Sequence, residues 1–220
     1  MDKVEKLIAQ IEGEAQTTAG WTGRSQFSPR VLDALRATDR VAFMPTSAAA
    51  QAYANAPHPI GHGQTISQPF VVALMTDLLD LTPESRVLEV GTGSGYQAAV
   101  LARLAREVFS IENIPALSRQ AAAALAAAGL HNVVLRVGDG AAGWPEAAPF
   151  DAIMVTAAAT EVPPALVDQL GAPGRMVIPV GPQGGDQDLR LIERNPAGAL
   201  RERDVLPVRF VPLVRPGRGE

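Results

Sequence analysis

The amino-acid sequence predicts an α/β protein, a doubly wound, mostly parallel sheet preceded by N-terminal helices. The run Val87-Leu88-Glu89-Val90 breaks at Gly91-Thr92-Gly93-Ser94-Gly95 and resumes as a helical pattern through Ala98, Leu101, Ala102, Leu104 and Ala105, which is strand, tight turn, helix. A second apolar run, Val108 to Ile111, follows at once and ends in Glu112. The unit is therefore β-α-β with an acid at the tip of its second strand. Further apolar runs downstream repeat the alternation and extend the sheet.

Residues 2–16 set Val4, Leu7, Ile8 and Ile11 at helical spacing between charged residues of both signs, an amphipathic helix that packs on the domain. Ser28-Pro29 offers a helix cap and first turn ahead of Val31, Leu32 and Leu35, predicting a helix over 29–37. Residues 38–66 carry Pro45, Pro57, Pro59, Gly61 and Gly63 without sustained periodicity and read as an irregular segment. A loop that long inside a domain usually has work to do, such as covering a site. A helix over 69–80 follows, with Ser67 placed to cap it and Pro69 in its first turn.

Past Glu112, a helix over 114–128 ends at Gly129, and Asn132 to Val137 makes the third strand, stopping at Gly138-Asp139-Gly140. The alanine run 121–128 is a helix of strong formers and carries no function. Asp151 to Val155 is the next strand, followed by Thr156 and three alanines, and Pro163-Pro164 opens a helix to about Leu170. Strands at 174–180, 188–194 and 200–214 close the sheet. The expected organisation is one domain over 1–220: a helical and loop cap to 66, a binding core over 67–180, and C-terminal strands over 181–220.

The glycine turn has a chemical reading. Glycines let the backbone turn sharply and leave no Cβ between main chain and ligand, while the unpaired amides opening the helix offer donors and partial positive charge. Glu112 follows Gly91 by 21 residues, where a carboxylate can accept hydrogen bonds from both hydroxyls of a ribose. The ligand class is an adenosine derivative. A dinucleotide fingerprint would want its third glycine at position 96, but that residue is Tyr96 and the glycine arrives one residue early, at Gly95, which disfavours NAD. Asp139, at the carboxyl end of a strand, faces the same crevice and reads equally as a bond to an adenine amino group or as a turn cap between glycines.

Composition narrows the partners. The net charge is −4 and no Lys/Arg block occurs, so there is no electrostatic footprint for nucleic acid. The chain has no cysteine, and its three histidines, His58, His62 and His131, are scattered, so no disulfide and no metal site is expected. The N-terminus lacks the apolar core of a signal peptide, and no run reaches the ~18 apolar residues of a membrane span. A cytoplasmic monomer is the expectation.

The pattern Glu89-Val90-Gly91-Thr92-Gly93-Ser94-Gly95 resembles motif I of the class I methyltransferases, whose Rossmann-like fold binds S-adenosylmethionine and releases S-adenosylhomocysteine. The resemblance sharpens to the protein-L-isoaspartate O-methyltransferase family. Its hallmark is matched by Pro59-Ile-Gly-His-Gly-Gln-Thr-Ile-Ser-Gln-Pro69, and further matches run in family order at 110–112, 138–140, 149–158 and 209–214. It departs at Ala52-Tyr53-Ala54-Asn55, where relatives usually carry acidic residues after the tyrosine.

The resemblance implies a cosubstrate site of Gln64, Thr65 and Ile66, the motif I residues Glu89, Gly91, Thr92, Gly93 and Gly95, and Glu112, Asn113, Asp139 and Gly140. Glu89 would orient the turn or the cosubstrate's amino group. It makes Ser67 the active-site residue and places Ile66, Ser67, Val211, Leu213 and Val214 against the substrate. The acceptor would be the free carboxylate of an L-isoaspartyl residue in a damaged protein or peptide, already ionised at neutral pH, so no general base is required. Two alternatives stand beside this reading: a class I methyltransferase of RNA or a small molecule, and a non-catalytic binder of S-adenosylmethionine.

Overall fold

The computed structural model describes residues 2–214; the expected domain limits at 1 and 220 lie outside them. The chain begins with α1 (Lys3–Thr22), whose stripe Leu7, Ile8, Ile11 and Ala15 is buried, and which ends where Gly23 takes the left-handed conformation and donates to the Ala19 carbonyl. α1 runs six residues beyond the expected end. The threonines there are accommodated because Thr17, Thr18 and Thr22 bond back to carbonyls three and four residues earlier. α2 (Pro29–Ala37) matches its expected span.

The segment 38–66 is not wholly irregular. It holds two short 3-10 turns, Arg40–Phe43 and Thr46–Gln51, and a hairpin of β1 (His58–Gly61) and β2 (Gln64–Ile66). Its tight turn uses positive φ at Gly61, His62 and Gly63. α3 (Pro69–Leu78) is buried almost all round, at Phe70, Val72, Ala73, Leu74, Met75 and Leu78, as a helix sandwiched between α1 and the sheet must be.

The remaining elements are β3 (Arg86–Val90), α4 (Tyr96–Ala102), β4 (Glu107–Glu112), α5 (Pro115–Ala127), β5 (Val133–Val137), β6 (Phe150–Val155), α6 (Pro164–Gln169), β7 (Leu170–Val180), β8 (Gln187–Arg194) and β9 (Leu200–Val208). They form a seven-stranded sheet in the order β5-β4-β3-β6-β7-β8-β9. β5 through β7 are parallel, and β8 and β9 close the edge antiparallel. The closing strand thus ends at Val208 rather than at 214.

Both faces of the sheet are covered, which is why its central strands read as continuous apolar runs. Val87, Ala152, Met154 and Val177 point into one core with the N-terminal helices and α4. Leu88, Val90, Ile153, Val155, Met176 and Ile178 point into the other, against α6. The chain leaves β3 for β4 and β5, then returns to lay β6 on the other side of β3. That reversal opens a crevice at the carboxyl ends of β3 and β6, where ligands of such sheets bind. No helix among the described residues is long and apolar enough to cross a membrane.

Candidate active site

The glycine turn sits in this crevice, over the end of β3. Gly91, Gly93 and Gly95 all have positive φ, at 96°, 53° and 86°, conformations in which other residues are strained. At Gly91 space decides as well: a Cβ would lie 2.4 Å from Thr156 Oγ1. The Thr156 hydroxyl donates to the Gly91 carbonyl at 2.6 Å, pinning the turn to the end of β6. Gly140 is equally tight, since a Cβ there would meet Val90 Cγ1 at 2.3 Å.

Glu112 is 5% exposed at the tip of β4. Its Oε2 accepts from the Gly93 amide at 2.7 Å and its Oε1 from the Ile114 amide at 3.0 Å. A carboxylate has about four acceptor sites, so roughly two remain for a ligand, and Glu112 lines a small cavity of about 50 Å³ together with Gly93, Asn113, Gly140 and Thr156. The donor set fits an adenosine ligand: acceptors for a diol on one side, a Cβ-free backbone on the other.

Glu89 is elsewhere. It is fully buried beneath the turn, faces Ser110 across the β3–β4 ladder and takes a short hydrogen bond from the Ser110 hydroxyl, which also pairs with Thr92 Oγ1 at 2.6 Å. Its other oxygen, Oε1, has no protein partner. Its carboxyl is raised to about 8: burial pushes it up, the Ser110 bond pulls part of the way back, and the Glu112 charge adds to the rise. The Glu89–Ser110–Thr92 chain therefore supports the turn from below. Asp139 caps the 3-10 turn Gly140–Ala142, its Oδ1 accepting from the Ala141 amide at 2.9 Å.

Ser67 does not cap α3. The residue preceding the helix is Gln68, with no side-chain cap of its own, and the first-turn amide of Phe70 is met instead by Asn55 Oδ1 at 2.9 Å. The Asn55 amide nitrogen donates to Glu14 Oε2 at 2.7 Å, and Gln68 Nε2 donates to the same carboxylate at 3.0 Å. Asn55 thus has a local task, capping α3 in place of Ser67 and leaving the Ser67 hydroxyl free of the helix. Ser67 opens on a cleft of about 770 Å³ shared with Glu14, Gln68, Phe70, Arg209 and Phe210.

Three surfaces meet at Thr65. It lines the Glu112 cavity with Gln64, the Ser67 cleft, and a third hollow of about 30 Å³ where Ile66 and Ser67 face Gly91, Thr92 and Gly93. The last described residues cross the same place. Gln187, 2% exposed, clamps the Phe210 backbone from both sides, Oε1 accepting from its amide and Nε2 donating to its carbonyl. Ala158 then pairs with Val211 and Leu213, each at 2.8 Å. Val211, Leu213 and Val214 are consequently brought over the Glu112 cavity, with Asn113 Nδ2 donating to the Val214 carbonyl at 3.3 Å.

Sequence reasoning missed Thr156 and Ala157 as cavity residues, although their place directly after a parallel strand could have found them. It also missed Glu14, Asn55 and Gln187, whose contacts cross 15 to 54 residues and leave no local signal.

Comparison with known proteins shows the family and the fold. A family model described as Protein-L-isoaspartate(D-aspartate) O-methyltransferase (PCMT) matches residues 21–217. A protein-L-isoaspartate O-methyltransferase of Anaeromyxobacter dehalogenans is 58% identical over 197 residues, covering 89% of this chain and 94% of that one. A solved structure described as a protein-L-isoaspartate O-methyltransferase superposes with a TM-score of 0.79 at 28% identity, over 95% of this chain; the chain spans 65% of that protein's length. Another, described as an enzyme of the same kind from Plasmodium falciparum in complex with S-adenosyl-L-homocysteine, gives a TM-score of 0.76 at 25% identity, covering 94% of this chain and 97% of that one. With the family model spanning most of its length and relatives this similar, the chain belongs to the protein-L-isoaspartate(D-aspartate) O-methyltransferase family.

Proposed function

We propose that the protein transfers the methyl group of S-adenosylmethionine to the free carboxylate of L-isoaspartyl residues in damaged proteins and peptides. The observation that carries this reading is the meeting of the cosubstrate-type cavity and the large Ser67 cleft at Thr65. The cosubstrate supplies an electrophilic methyl on a sulfonium. Glu112 and Asn113 hold its ribose side, the Gly91–Gly95 turn and Gly140 admit it against bare backbone, and Asp139 faces its base. Glu89 acts from beneath as a support of the turn.

The acceptor needs no base, because a carboxylate with a pKa near ~4 is already a nucleophile at pH 7. What the chain must supply is geometry and exclusion of water, worth several kcal/mol in a reaction that neutralises charge. The Ser67 hydroxyl, released from capping, donates to the acceptor and sets its direction; Ile66, Val211, Leu213 and Val214 bound the space around it. The neutral methyl ester is a better electrophile than the carboxylate, because methoxide can leave where oxide cannot. The neighbouring backbone nitrogen attacks the ester carbonyl, gives up its proton and expels methanol to close a succinimide, and water opening that ring returns some normal aspartate.

An RNA substrate fits less well, since the Ser67 cleft carries Glu14, Asp186 and Asp188 against one arginine, Arg209. The reading is of a cytoplasmic monomer acting on other proteins, without nucleic acid or membrane. Its test is to incubate an isoaspartyl peptide with S-adenosylmethionine and follow the products by mass and chromatography. Methyl ester, succinimide and then aspartyl peptide are expected in that order; an unmodified peptide beside methylated RNA would overturn the proposal.

A further inference from the structure

Ser67 is held by a residue outside the motifs read from the sequence. Arg40, on the 3-10 turn before the hairpin, is 1% exposed. Its Nη2 donates to the Ser67 carbonyl at 2.7 Å, and its guanidinium carbon lies 4.8 Å from the centre of the Tyr96 ring. Tyr96 is itself buried, packs edge-on against Phe43, and is the residue that follows Gly95 and opens α4. The same side chain therefore touches the loop that carries the acceptor-side serine and the helix that carries the glycine turn.

This placement is costly. Nε and Nη1 of Arg40 are buried without a protein partner, and no carboxylate pairs with it among the described residues. A buried guanidinium with two unpaired nitrogens destabilises relative to a hydrocarbon of similar volume. What a hydrocarbon would give up is the bond to Ser67 and the cation–π contact with Tyr96. The two contacts are thus the reason for an arginine here, and both lead to the site.

We propose that Arg40 is a positioning residue that couples cosubstrate binding at the glycine turn to the placement of Ser67, deepening the methyl-transfer reading on which it rests. It touches neither ligand. Ordering of the Gly95–Tyr96 helix start fixes the ring, the ring fixes the guanidinium, and the guanidinium fixes the Ser67 backbone. Lysine cannot replace it, because a single ammonium on a flexible stem does not bond the carbonyl and sit over the ring at once.

The test uses the full chain with R40K, R40M and S67A, alone and combined. Amide hydrogen exchange is measured with and without S-adenosylhomocysteine, alongside kcat and KM for an isoaspartyl peptide. In the wild type, S-adenosylhomocysteine should slow exchange at both 91–97 and 67–70; in R40K and R40M the protection at 67–70 should vanish while that at 91–97 stays. Turnover should fall about tenfold or more at nearly unchanged KM, since a displacement of ~1 Å can cost ~100-fold. The R40K and S67A losses should not multiply, because both act through one group. R40M, which fills the space without buried donors, keeps the experiment open should R40K fold poorly. Equal protection of 67–70 in wild type and variants would overturn the proposal, as would multiplicative losses. Exchange does not depend on the acceptor, so absence of methyl transfer in the wild type would count against the function and not against the coupling.

Discussion

Replacing Glu112 with alanine removes two kinds of interaction whose sizes can be separated. The carboxylate accepts from the Gly93 amide at 2.7 Å and from the Ile114 amide at 3.0 Å, and it is 5% exposed. Both amides would lose a charged acceptor. The penalty is about 1 to 3 kcal/mol for each donor left buried and unpaired, less where water enters the hole. The remaining acceptor capacity is assigned to ribose hydroxyls, and charge-assisted bonds there are worth about 1.5 to 3 kcal/mol, or roughly 10- to 150-fold in affinity. Calorimetric titration with S-adenosylhomocysteine measures the second quantity, and denaturant unfolding of the ligand-free protein the first. Glu112→Gln serves as a shape control. One carboxylate oxygen becomes a donor, so affinity should fall comparably with a smaller cavity. If both variants fold and bind S-adenosylhomocysteine as tightly as the wild type, Glu112 is only a brace for the turn and its ligand role is refuted.

Two further outcomes follow from the same geometry. Ser67→Ala should reduce turnover on an isoaspartyl peptide while leaving S-adenosylhomocysteine affinity and unfolding midpoint nearly unchanged, because Asn55 and not Ser67 caps α3; a stability loss near the ~1 kcal/mol of a lost cap with normal turnover would reverse that assignment. Glu89, raised from 4.5 to about 8 chiefly by burial, keeps in the folded state a proton that the unfolded chain releases. Its contribution to stability is fully present below about pH 4.5 and is lost as pH rises through about 8. Glu89→Gln mimics the neutral acid, so wild type should lose stability relative to the variant, on the order of a few kcal/mol, between about pH 5 and about pH 8.5; parallel pH curves would contradict the buried neutral carboxyl.

The central β-α-β unit was legible because its signals are local. An apolar run bounded by glycines and an acid at a fixed distance state strand, turn and strand tip within one stretch of chain, and β3 and β4 lie where the pattern put them, while α4 stops at Ala102 and leaves Leu104 and Ala105 of the expected helix in the turn before β4. The same holds for α2 and for Pro69 at the start of α3. The failures were non-local. Ser67 has a good cap sequence, yet Asn55 reaches the Phe70 amide from across the loop because Glu14 of α1 orients it. β1 and β2 are four and three residues long, too short for alternation to register. α1 outran its apolar pattern because its threonines satisfy their own hydroxyls. The last described residues read as strand from composition, but they peel from β8 where Gln187 clamps Phe210 and pair with Ala158 instead. The motif acids were recognised by type, and tertiary contacts set what each one touches: Glu89 a serine below the turn, Asp139 a turn amide, Glu112 the glycine loop itself.

The central claim is selectivity for the isoaspartyl linkage, and it rests on how the peptide backbone runs. In isoaspartate the chain continues through the side-chain carbonyl, which adds a methylene to the main chain and leaves the α-carboxylate free on a shorter arm. A site that fixes the main chain near Ser67 presents that carboxylate alone to the methyl; an aspartyl peptide held the same way points its carboxylate elsewhere, and ~1 Å of misplacement can cost ~100-fold. The measurement is the initial rate of methyl transfer from labelled S-adenosylmethionine to two peptides identical except for this linkage. A rate on the isoaspartyl peptide larger by about 100-fold or more is predicted. Comparable rates on both would contradict the account and leave a general carboxyl methyltransferase.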